Sequence, residues 1–193
     1  GMGGGSSDAA ATLVALNQIY EKQLKYSELL GIAAELGSDV PFFLSGGTGI
    51  IRGRGEIVEK QAFLGHHWLL LINPGFSVPT GQVFSSLNLD LTSKKPLHNI
   101  LPASRTRSLS VSELKNCVHN DLESAVLSLF PKVDEPLQWL RKNGAVAASV
   151  SGSGGTVYGV YPDSEAAKQA KKAAELLFPW VFLAETVNSG PLG

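Results

Sequence analysis

Cysteine is nearly absent: Cys117 is the only one in 193 residues. An intramolecular disulfide is excluded, and a reducing, cytoplasmic setting is the default expectation. As a lone thiol, Cys117 reads as a small buried hydrophobe rather than a nucleophile. An excess of either charge is missing too. The 16 Lys+Arg nearly balance the 17 Asp+Glu, for a net charge of −1, so no basic footprint points to nucleic acid. No apolar run approaches the roughly 20 residues of a membrane span. The histidines, His66, His67, His98 and His119, show no metal-ligand spacing together with cysteine, and no Ser-His-Asp arrangement has an identifiable context. No internal repeat or low-complexity segment is evident. What is present, 44% hydrophobic and 17% charged residues, suits a packed protein of one large or two small domains.

Glycine is plentiful where it matters. The chain opens on Gly1-Met2-Gly3-Gly4-Gly5-Ser6-Ser7-Asp8-Ala9-Ala10-Ala11. Leu13, Leu16 and Tyr20 then continue an apolar face from Ala9 at helical spacing. Two readings fit. One is a terminal tail followed by a capping serine. The other is a phosphate site, in which glycines let the backbone approach an anion and the first helical turn supplies free N–H groups and a positive dipole end. The Ser-Ser-Asp-Ala-Ala continuation favours the second. It is not a standard P-loop, because no lysine occurs before Lys22. The strand that would feed such a loop is also absent, so the chain is expected to begin partway into a longer domain.

Further along, Ser27 is placed to cap a second helix carrying Leu29, Ile32, Ala33 and Leu36, with Gly37 at its end. Val40 to Leu44 reads as a short buried strand. Thr48 to Arg52 and Glu56 to Lys60 read as strands joined by Gly53-Arg54-Gly55. A boundary is expected near residues 62–67, giving domains 1–62 and 63–193. Trp68 to Asn73 is a strand, Thr80 is placed to cap a helix with Val83, Phe84 and Leu87, and residues 88–109 read as a surface loop. Ser110 and Glu113 form a capping box. Further helices are expected from Asp121, around Pro136 and from Ser164, with strands at Ala147 to Ser151, Thr156 to Tyr161 and Val181 to Val187. From residue 68 onward the order is that of a ferredoxin-like βαββαβ layer with extra helices in the first crossover, so the fold class is α+β.

Asp39 is the strongest catalytic candidate. Between a helix end and the following element, its carboxylate could orient or deprotonate an alcohol for phosphoryl transfer. It could equally be a turn aspartate bonded to nearby backbone. Gly152-Ser153-Gly154-Gly155 is either a hairpin turn or a backbone nest beside phosphate. Phe84 is either core or a stacking platform for a base. Asn120-Asp121 reads most simply as a cap.

Together, Gly3-Gly4-Gly5-Ser6-Ser7-Asp8-Ala9-Ala10, Leu36-Gly37-Ser38-Asp39-Val40-Pro41-Phe42-Phe43, Asn73-Pro74-Gly75-Phe76-Ser77-Val78-Pro79-Thr80, Asn120-Asp121-Leu122-Glu123 and Ser151-Gly152-Ser153-Gly154-Gly155-Thr156-Val157 resemble the GHMP kinases. The likeness is strongest to the branch in non-mevalonate isoprenoid synthesis whose substrate carries a cytidine diphosphate. The resemblance implies a two-domain GHMP-like fold with a partial N-terminal domain. It implies ATP phosphates on Gly3, Gly4, Gly5, Ser6 and Ser7, with Asp39 acting on the substrate hydroxyl. It also implies substrate contact at Thr80, cytosine stacking on Phe84, and Gly152, Ser153 and Gly154 beside the transferred phosphate. Mg²⁺ would arrive with the nucleotide, and no protein metal cage is implied. The location would be the cytoplasm, or the plastid stroma if a transit peptide precedes the chain. The family's catalytic lysine, its Tyr-His pair over the base and its first strands have no counterpart here. A weak or inactive chain is therefore expected, with sheet edges that favour self-association. Another GHMP kinase, or a nucleotide-binding module without turnover, remains an alternative.

Overall fold

The computed structural model describes residues 1–62, 64–87 and 109–190; the loop expected over 88–109 lies almost entirely outside them. The chain divides into two compact units. One contains Gly3–Leu64 and residues 187–190; the other contains Gly1–Met2 and the described residues of 65–186.

The first unit is mainly helical. Helix α1 spans Gly4–Ile19, α2 Tyr26–Leu36 and α3 Val40–Ser45, followed by a hairpin of β1 (Thr48–Arg52) and β2 (Ile57–Gln61). Each helix gives the core one pair at i, i+4: Ala10 and Val14, Leu29 and Ala33, Val40 and Leu44. The buried stripe of α1 is therefore turned from the one expected, and Leu16 and Tyr20 remain exposed. On α2, Ile32 and Leu36 are exposed for the same reason. That helix starts before Ser27, with the Lys25 N–H donating to the Glu28 carboxylate at 2.8 Å. Gly37 is extended, at φ 170°, rather than left-handed. The expected strand over Val40 to Leu44 is a helix instead. Pro41 lies in its first turn, where a missing N–H costs nothing and the ring's φ already suits a helix. In the hairpin turn Gly55 has φ 126°, and a Cβ there would fall 1.8 Å from the Ser38 carbonyl oxygen, so only glycine fits.

The second unit runs β3 (Trp68–Asn73), α4 (Thr80–Ser86), α5 (Val111–Leu114), α6 (Glu123–Leu129), a 3₁₀ turn (Pro131–Val133), α7 (Asp134–Lys142), β4 (Ala147–Val150), β5 (Val157–Tyr161), α8 (Ser164–Ala174) and β6 (Trp180–Glu185). Its sheet is ordered β4-β5-β3-β6 and every neighbouring pair is antiparallel. This is the ferredoxin-like arrangement of a βαββαβ chain. Alternate residues of the strands, Leu70 and Ile72, Val157 and Tyr161, face a core completed by Leu137 and Leu140 of α7 and by Ala167, Ala170 and Ala174 of α8. The capping box at Ser110 forms, with Ser110 Oγ accepting from the Glu113 N–H. The N-cap of α8 is Asp163 rather than Ser164, its carboxylate accepting from the Ala166 N–H at 2.8 Å. Among the described residues no helix is long and apolar enough to cross a membrane.

Candidate functional site

The glycine-rich opening is an ordered helix start. Gly3 is left-handed, at φ 64°, and the Ser7 N–H donates to its carbonyl at 2.9 Å. The N–H groups of Gly4, Gly5 and Ser6 thus precede the first intrahelical bond and have no helical acceptor. Among the described residues nothing beyond the helix's own backbone and chain neighbours lies within 4 Å of where a Cβ would stand on Gly4 or Gly5, so this turn presents bare backbone. On Gly3 a Cβ would stand 2.8 Å from the Phe43 ring. The two motifs of the helical unit therefore meet physically: Phe43 of α3 backs the glycine that opens α1, and α3 packs on α1. Asp39, at the N-cap of α3, is exposed, and its carboxylate caps nothing. Among the described residues the bonds to nearby backbone that a turn aspartate would make are absent.

In the sheet unit, Thr80 is the first residue of α4, and its hydroxyl lies 2.8 Å from that of Ser153. The helix buries Val83 and leaves Phe84 53% exposed, so Phe84 is a surface ring and not core. The loop from β4 to β5 is more elaborate than a two-residue hairpin. Gly152, Gly154 and Gly155 all have positive φ, the Ser151 N–H donates to Thr156 O at 2.9 Å, and the Gly154 N–H donates to Ser151 O at 3.1 Å. Gly154 rests on Val126, where a Cβ would come within 2.8 Å of the side chain.

Asn120, expected as a cap, also meets this loop, as do Asn73 and Glu123. Asn120 donates through Nδ2 to the carbonyls of Val150 (2.9 Å) and Gly152 (2.8 Å). Asn73 Nδ2 donates to Thr156 Oγ1 at 3.1 Å, and its Oδ1 accepts from the Gly75 N–H. The Glu123 carboxylate accepts from Ser149 Oγ (2.7 Å), the Val150 N–H (3.1 Å) and Arg141 Nη2 (2.7 Å). Burial pushes this carboxyl up, but the bonds from Ser149, Arg141 and Val150 and the Arg141 charge outweigh burial and hold it below the usual carboxylate range. The sequence signal at these positions is their place in the stretches Asn73–Thr80 and Asn120–Glu123 that carry the family resemblance.

Two family models match the chain: the GHMP kinases N terminal domain over residues 1–47 and the GHMP kinases C terminal over residues 103–179. The chain belongs to the GHMP kinase family. Among curated relatives, the 4-diphosphocytidyl-2-C-methyl-D-erythritol kinase of Syntrophus aciditrophicus is 42% identical over 171 residues, which is 89% of this chain and 60% of that protein. The kinase of the same name from Alkaliphilus oremlandii is 34% identical over 98% of this chain and 65% of its own length. This GHMP kinase chain therefore spans 60% and 65% of those two relatives. A crystal structure of 4-(cytidine 5'-diphospho)-2C-methyl-D-erythritol kinase matches with a TM-score of 0.72 at 29% identity, covering 95% of this chain and 65% of the other. Homoserine kinase from Cytophaga hutchinsonii, at 20% identity and a TM-score of 0.69, shares the GHMP fold.

Proposed function

We propose that the chain is part of a kinase that transfers the γ-phosphoryl group of ATP to a hydroxyl of 4-diphosphocytidyl-2-C-methyl-D-erythritol, in non-mevalonate isoprenoid precursor synthesis. The observation that carries this reading is the pairing of a bare helix N-terminus at Gly3–Ser7 with an exposed carboxylate at Asp39 that makes no cap bond, in one unit. The free N–H groups hold phosphate oxygens. The Asp39 carboxylate orients the substrate hydroxyl and accepts its proton as the new O–P bond forms and the bond from the γ-phosphorus to the β,γ-bridging oxygen breaks, releasing ADP. Thr80 and the exposed ring of Phe84 receive the substrate, Phe84 stacking on its cytosine, and the loop at Gly152, Ser153 and Gly154 lines the phosphate. Mg²⁺ enters with ATP. It would be held chiefly by phosphate oxygens and water. The chain alone is proposed to turn over weakly or not at all, because the family's lysine and half of its base clamp have no counterpart in it. It is also proposed to self-associate through exposed sheet edges.

The deciding assay is ATP-dependent phosphorylation of 4-diphosphocytidyl-2-C-methylerythritol by this chain beside a version extended upstream with the family's N-terminal segment. Turnover by the extended form alone is expected. Turnover by both forms overturns the role given to the missing lysine. Turnover by neither, with ATP still bound, replaces the kinase reading with a nucleotide-binding module.

A further inference from the structure

Among the described residues β4 is an end strand of its sheet, so the backbone groups on its outer side have no neighbouring strand there. Side chains take that place. The Val150 N–H donates to Glu123, the Val150 carbonyl accepts from Asn120, and the Ala148 carbonyl accepts from Arg141 Nη2 at 3.4 Å. Asn120 goes one residue beyond the strand, because the same amide also donates to the Gly152 carbonyl inside the glycine loop. Its own Oδ1 accepts from the Leu122 N–H at 3.0 Å, which fixes the amide's orientation. Every hydrogen-bonding group of this side chain is committed.

The consequence for the loop follows from peptide geometry. In a planar trans peptide the C=O and the next N–H point in opposite directions. Holding the Val150 carbonyl toward Asn120 sends the Ser151 N–H the other way, to Thr156 O, as observed. Holding the Gly152 carbonyl toward Asn120 likewise turns the Ser153 N–H away from it. Among the described residues the backbone N–H groups of Gly152, Ser153 and Gly155 donate to no backbone acceptor, whereas that of Gly154 is used within the loop. Gly152, at φ 56°, adopts the left-handed backbone this path requires.

We propose that Asn120, backed by Glu123, is a positioning residue of this kinase: it pins the Val150 and Gly152 carbonyls so that the Ser153 N–H of the glycine loop is presented to a phosphate. The inference rests on the phosphate-facing reading of that loop. Asn120 acts through the loop and touches no reacting atom.

The test is the ¹⁵N amide spectrum of the full chain with Asn120→Asp, a change that keeps the size of the side chain and the acceptor for the Leu122 N–H but removes both donations. The expected result is a displaced Ser153 amide signal and exchange of the loop amides faster by about tenfold or more, with β3 and β5 signals unmoved. Asp121→Asn, beside it in sequence but exposed and, among the described residues, paired with His119 alone, should leave the loop signals in place. Loop signals unchanged in Asn120→Asp would overturn the proposal. Asn120→Ala, which removes the donations without adding charge, decides the matter in the same way if the aspartate variant does not fold. Titrating the wild-type chain with ATP is a separate readout. If the Ser153 signal ignores ATP, the phosphate-facing reading fails, while the comparison with Asn120→Asp still reports whether Asn120 sets the loop.

Discussion

Glu123 binds three donors at once, and its depressed pKa makes that arrangement a source of pH-dependent stability. A carboxylate titrating lower in the folded than in the unfolded chain contributes stability above its unfolded value, about 4.3. That contribution disappears as pH falls through the lower folded value. Glu123→Gln should therefore melt below wild type at pH 7, with the gap closing below about pH 4; a gap independent of pH would show that the charge contributes nothing. Tyr161 presents the opposite case. It is buried in the sheet unit's core, and its hydroxyl has no hydrogen-bond partner among the described residues. Burial pushes its pKa up to about 12. Tyr161→Phe should leave stability unchanged or raise it by up to about 1 kcal/mol at neutral pH. Its advantage should grow between pH 10 and 12, where the unfolded tyrosine ionises and the folded one resists. Thermal melts across that range, showing the variant less stable throughout, would contradict the assignment of an orphaned hydroxyl.

Helix α1 carries two glycines, Gly4 and Gly5, inside its first turn, and open space surrounds both. Propensity alone favours alanine at an exposed helical position by about 0.5–1 kcal/mol. Gly4→Ala should accordingly raise the melting temperature. If the bare turn holds phosphate, the added methyl should weaken ATP binding at the same time, as measured by calorimetry of the extended form. Stabilisation with unchanged affinity would return this stretch to an ordinary helix start. Gly3 differs, because its left-handed backbone and the Phe43 ring leave no room for a side chain. The other glycine loop owes its shape to Asn120 and Asn73, side chains far from it in sequence, which explains why its own four residues were equally legible as a simple turn. Helix α3 was misread for a related reason. A five-residue apolar run has no periodicity able to separate strand from helix, and packing of Val40 and Leu44 at i, i+4 decided it.

At the scale of the whole molecule, the two units have unequal cores. Among the described residues the sheet unit buries a cluster of fourteen, the helical unit one of six. Among the described residues the helical unit also leaves Ile19 72% and Leu36 59% exposed, and its hairpin is a two-stranded sheet with both outer edges unpaired. Light scattering of this chain should show mass rising with concentration, and the upstream-extended form should lower that tendency. A monomer at every concentration would rule out the self-association. By itself the sequence determined the family, through motifs whose glycines and carboxylate stand in a fixed order, and the ferredoxin-like sheet, through the succession of strand, helices, strand, strand, helix and strand from residue 68 onward. Tertiary structure alone decided the fold of Val40–Ser45, the exposure of Phe84 and the attachment of Asn120 to a loop thirty-two residues away. These depend on what packs against a residue from elsewhere in the chain, and no local pattern of residue types encodes that contact.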